Sequence, residues 1–73
     1  MTLAERIAAL VAHRPGLTEP ELADALFGRA GYQARVNYVC RSLVRQGRIE
    51  RRGGGGLPHP FQYYGASTQP RAG

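Results

Sequence analysis

Apolar residues recur along this chain in three runs at helical spacing, and the pattern then changes to alternation. Leu3, Ile7, Leu10 and Val11 follow a T-x-x-E capping box formed by Thr2 and Glu5, which predicts a helix over about 3–13. Pro15 and Gly16 stop it. A second capping box, Thr18 with Glu21, tolerates Pro20 in its first turn and places Leu17 to staple against Leu22. A short helix is therefore expected over about 19–27, with Gly28 as its cap. Residues 28–31 make a tight connection to the clearest amphipathic segment. There Val36, Val39, Cys40, Leu43 and Val44 hold the i, i+3, i+4, i+7 and i+8 positions of a helix over about 32–46. Gly47 ends it in a left-handed conformation, after Arg45 in the last turn.

Beyond Gly47 the pattern is extended. "RIER" is a short strand with Ile49 inward, and "PFQYYG" is a second, with Phe61 and Tyr63 on one face and Gln62 and Tyr64 on the other. Between them lies "RGGGGLPH", whose four glycines fit a hairpin loop with positive φ angles that lets backbone approach a phosphate closely. A nucleotide-binding loop is excluded, because that motif needs a lysine and a following helix, and the chain has no lysine. One domain is expected over 1–65. "ASTQPRAG" (66–73) has no apolar periodicity and reads as a frayed tail.

With 73 residues and 42% apolar content, the chain can fold as one small domain with little room for internal pockets. A single cysteine excludes an internal disulfide. Without Cys/His clustering no zinc site is expected, and no cofactor is implied. No apolar run approaches the ~20 residues needed to cross a bilayer, so a cytoplasmic protein is expected, nucleoid-associated in a prokaryote. The net charge is +5 and all ten basic residues are arginine. Their position says more than the total. Residues 1–28 hold two arginines against Glu5, Glu19, Glu21 and Asp24, whereas residues 29–52 hold seven arginines against Glu50 alone. Such asymmetry suits a polyanion-binding face, since solubility would be served as well by interspersed Lys and Glu.

Three helices followed by a two-stranded hairpin make an α+β chain, a three-helix bundle with a C-terminal β-hairpin wing, and this order resembles the winged helix-turn-helix superfamily of DNA-binding proteins. The segment "RVNYVCRSLVRQGRIERR" carries the resemblance furthest, because a helix ending in Leu-x-x-x-Gly before a basic strand looks like that superfamily's junction of recognition helix and wing. The resemblance covers the chain to Tyr64. It implies double-stranded DNA as partner, the third helix in the major groove, and the wing over about 48–64 against the backbone or minor groove. Transcriptional regulation is the usual task of such a module. A secondary similarity runs to the left-handed-DNA-binding winged helix, through Asn37, Pro58, Pro60 and Phe61. The chain departs from that pattern at Arg41, where the family has a tyrosine, and at His59, which splits the proline pair.

On a helical wheel the side of the third helix opposite its apolar stripe is Ala34, Tyr38, Arg41 and Arg45, flanked by Arg35, Asn37 and Ser42. Arg can donate in a bidentate way to guanine and Asn to adenine, so Gln33, Arg35, Asn37, Tyr38 and Arg41 are the candidate base readers and Arg45 a phosphate contact. Arg51, Arg52, Gly54, Gly55 and His59 are the candidate wing contacts, on a tip expected to be mobile until DNA orders it. Cys40 lies in the apolar stripe and reads as core. No nucleophile has an evident base and no carboxylate pair stands in an apolar setting, so neither an enzyme nor a small-molecule substrate is expected. A protein-interaction module on the same scaffold, a binder of Z-form or other non-B nucleic acid, and an RNA binder are the alternatives. A weak homodimer would use the first helix or an edge of the hairpin.

Overall fold

A computed structural model describes residues 1–28, 30–56 and 58–66. The elements follow as α1 (Leu3–His13), β1 (Leu17–Thr18), α2 (Glu19–Phe27), a 3-10 turn (Ala30–Tyr32), α3 (Gln33–Arg45), β2 (Ile49–Arg52) and β3 (Gln62–Gly65). The result is a three-helix, α+β fold with a β-hairpin wing, as the hydrophobic pattern predicts. Both capping boxes form. Thr2 Oγ1 accepts from the Glu5 amide at 3.1 Å while Glu5 Oε1 accepts from the Thr2 amide at 2.9 Å, and Thr18 and Glu21 repeat the exchange at the start of α2.

At the end of α3, Gly47 takes φ +75. Its amide donates to the Val44 carbonyl at 3.0 Å and the Arg48 amide to the Leu43 carbonyl at 2.9 Å, the pair of bonds that closes a helix through a left-handed residue. This sharp stop turns the chain straight into β2. By contrast, Tyr32 caps the start of α3 with no side-chain bond, and the preceding 3-10 turn supplies the approach instead.

The sheet has three strands, in the order β1-β3-β2 and antiparallel throughout, where the sequence pattern predicts two. Leu17 pairs with Tyr63 and Thr18 with Gln62, and the Gly16 amide donates to the Tyr63 carbonyl at 2.8 Å. The extra strand follows from the helix cap. As N-cap of α2, Thr18 must be extended (φ −88, ψ 173), and an extended residue beside an open strand edge can join it. Two residues are too few to show a period of two in sequence. The expected strands also shift by a residue or two, so that Arg52 is in β2 and Phe61 precedes β3. The tail lies outside the described residues beyond Ala66.

The core is one cluster: Ile7 and Val11 of α1, Leu22 and Ala23 of α2, Val36, Cys40 and Leu43 of α3, with Ile49 and Tyr63 from the sheet. Leu17 and Leu3 pack around it half-buried. Tyr63 is the largest of these fully buried side chains and brings a hydroxyl into the interior. That hydroxyl donates to Glu19 Oε2 at 2.6 Å, and the same oxygen accepts from Asn37 Nδ2 at 2.7 Å. One carboxylate thus ties the first turn of α2, the first half of α3 and the central strand, and its charge also suits a helix N-terminus. No helix among the described residues is long and apolar enough to cross a membrane.

Glu19→Ala leaves the Tyr63 hydroxyl and the Asn37 amide without their acceptor. It is expected to cost about 3 kcal/mol, from two hydrogen bonds to a charged group, and so to lower the melting temperature by about 15 °C. A thermal melt unchanged within a few degrees would show that the tie does not hold the fold. Gly53 takes φ +109, and a Cβ there would run into the Pro60 carbonyl. Gly53→Ala is therefore expected to cost about 2 kcal/mol, against a change of a few tenths at Gly31, which has open space around it.

Candidate nucleic-acid interface

The buried stripe of α3 fixes which of its residues face out. With Val36, Cys40 and Leu43 inward, Gln33, Ala34, Arg35, Tyr38, Arg41 and Arg45 are exposed, and Tyr38 stands 77% free. Arg35, Arg41 and Arg45 have no ion-pair or hydrogen-bond partner among the described residues, and α3 contains no Asp or Glu. The exposed side of this helix is a positive surface with a protruding aromatic ring.

Asn37 departs from the expectation of a free base reader. Its side chain is half-buried and turned towards α2, where its amide donates to Glu19. Sequence reasoning places it at the margin of the exposed face, and a partner 18 positions away decides on which side of that margin it falls. Glu19 is in turn the residue the sequence pattern undervalues. It reads only as a first-turn acid, because both of its partners are distant in sequence.

The wing arginines are stacked rather than free. Arg51 lies over the Phe61 ring at 4.1 Å from its centroid and Arg52 over Tyr64 at 4.3 Å. Neighbouring strand residues point to opposite faces, so the two stacks lie on opposite sides of the hairpin. Arg51 faces the core side opposite Tyr63 and is half-buried, which makes it a structural residue before a ligand contact. Arg52 is exposed and stands 3.6 Å from Glu50, leaving its outer edge open to solvent.

The glycine run is folded on itself. The amides of Gly54 and Gly55, expected to be open to a phosphate, both donate to the His59 carbonyl, at 2.9 and 3.1 Å. Gly55 also lies so close to Phe61 that a Cβ there would be 2.7 Å from the ring. These glycines let the tip close over Phe61. His59 itself is exposed, beside Gly56 in an isolated bridge. Leu57, within the same tip, lies outside the described residues.

Two buried acids keep their protons. Burial and then the nearby Glu19 charge push the Cys40 thiol up to about 12, against an opposing pull from Arg51. Burial and then the hydrogen bond to Glu19 push the Tyr63 phenol upward as well. Cys40 is thus an inert core thiol. In the unfolded chain these groups titrate near 9.0 and 10.0, so the folded state holds protons that the unfolded state releases. The Cys40 contribution is full below pH 9 and is lost as pH rises towards 12, while that of Tyr63 is full below pH 10 and declines above it. Denaturant unfolding is expected to show stability falling above pH 9 by up to about 1.4 kcal/mol per pH unit for each group. Tyr63→Phe should flatten the slope above pH 10. An unchanged slope in that variant would contradict the assignment.

Comparison of the chain with protein-family models, with curated proteins and with solved structures returned no match, so the case for what the site does rests on its own geometry.

Proposed function

We propose that this chain is a winged helix-turn-helix protein that binds duplex DNA, with α3 in the major groove and the β2-β3 hairpin beside it on the backbone. The observation that carries the reading is the exposed side of α3, where Arg35, Arg41 and Arg45 stand unpaired among the described residues beside Tyr38, opposite a fully apolar core stripe. An α-helix fits the major groove, and in this kind of docking its first turns meet base edges. Gln33 and Arg35 are in the first turn and are the readers on this arrangement. Arg48 and Arg52 flank the hairpin as exposed cations for phosphates, while Arg51 and Asn37 hold the scaffold. Such a module is a binding protein rather than an enzyme, and transcriptional control is the role that sequence-selective binding by it would serve.

Of the four residues behind the similarity to left-handed-DNA binders, Asn37 has its amide engaged by Glu19, which counts against that reading. Right-handed duplex is the favoured form.

Fluorescence anisotropy with a labelled duplex pool tests the reading. About four arginine-phosphate contacts imply that log K falls against log salt with a slope of roughly −4. Arg35→Ala is expected to reduce discrimination among sequences, with a loss of about 1–3 kcal/mol at one base position. No affinity for any duplex at low salt, or an affinity indifferent to salt, would overturn the proposal.

A further inference from the structure

A groove of about 210 Å³ runs along the exposed side of α3 between Tyr38, Arg41, Ser42 and Arg45. Tyr38 stands three and four positions before Arg41 and Ser42, and these stand four and three before Arg45, so the side chains ring one patch of the helix surface. Arg41 and Arg45 are like charges one turn apart, an arrangement that destabilises a helix unless something neutralises it. Among the described residues nothing does: neither guanidinium has a partner, and α3 carries no acid.

Two hydroxyls complete the ring. Ser42 Oγ accepts a hydrogen bond from Gln46 Nε2 at 3.2 Å, which occupies a lone pair and leaves its proton to be donated elsewhere. The Tyr38 hydroxyl has no partner among the described residues. The groove is therefore lined by two hydroxyls able to donate and by two positive charges, with no carboxylate among its lining residues.

We infer that this groove is an oxyanion site that holds one phosphate group, with guanidinium N–H groups of Arg41 and Arg45 and the hydroxyls of Ser42 and Tyr38 as donors. Resting on the DNA reading, the phosphate is a backbone phosphodiester of the bound duplex. Tyr38 and Arg41, which the sequence suggests as base readers, then grip the backbone. Base discrimination falls to Gln33 and Arg35, nearer the start of the helix.

The test is an NMR titration of the protein with sodium phosphate, against sodium chloride at matched ionic strength, followed by a duplex titration. Phosphate is expected to give saturable shifts at the Arg41 and Arg45 Nε–H groups and the Ser42 amide that chloride does not give. Ser42→Ala removes one donor, and Arg45→Lys keeps the charge but loses the planar fork. Each is expected to weaken phosphate binding roughly tenfold with the melting temperature preserved as a control for folding. On duplexes both variants should lose affinity by a similar factor for every sequence, with preference unchanged. Shifts that chloride reproduces, or variants that bind phosphate as the wild type does, would overturn the site, even if duplex binding persists. Saturable phosphate binding in a protein with no affinity for duplex would instead overturn the backbone as its occupant and the DNA reading with it.

Discussion

A single carboxylate oxygen, Glu19 Oε2, accepts from the Tyr63 hydroxyl and the Asn37 amide, and the arrangement of the other parts depends on it. A fully buried tyrosine fills the centre of the core, but its hydroxyl is costly in the interior without an acceptor. Glu19 supplies that acceptor from the first residue of α2, where the helix dipole also favours a negative charge. Because the second donor comes from α3, the same oxygen joins α2 to α3. The helix pair and the hairpin are therefore held by a directional contact in addition to apolar packing, which alone fixes separation better than rotation.

That rotation matters at the surface. With Asn37 drawn inward, Tyr38 and the arginines at 35, 41 and 45 are turned out together, and one helix presents an apolar side to the core and to solvent a cationic side that is unpaired among the described residues. The hairpin is braced by a different device. Arg51 and Arg52, adjacent in β2, stack on Phe61 and Tyr64 on its two faces, so a glycine-rich wing has side-chain struts on both sides. Phe61 is held between Arg51 and the backbone of Gly55, and this contact leaves no room for a side chain at position 55. Gly53, Gly54 and Gly55 thus serve closure of the tip around an aromatic ring and two carbonyls, and the amides of Gly54 and Gly55 are used within the loop.

Much of this was legible in sequence. Helix boundaries, both capping boxes, the left-handed stop at Gly47, the core stripe of α3 and its arginine-rich opposite side all depend on residues within a turn or two of one another. The register of that stripe puts Arg35, Tyr38, Arg41 and Arg45 on the side of the helix away from it. Sequence therefore determined the three helices, the hairpin and the positive helix face.

Only the tertiary structure decided what depends on distant pairs. Strand β1 exists because a cap residue meets an open edge formed by residues some 45 positions later. Asn37 is structural because Glu19 reaches it, and the Gly54 and Gly55 amides are occupied because the chain returns at His59. The stacking of Arg51 required the hairpin register that sets Phe61 diagonally opposite. The physical reason is common to all of these. Periodicity and capping are local and leave a mark in the order of residues, whereas a hydrogen bond or a ring contact between separate elements leaves none until the core has brought them together.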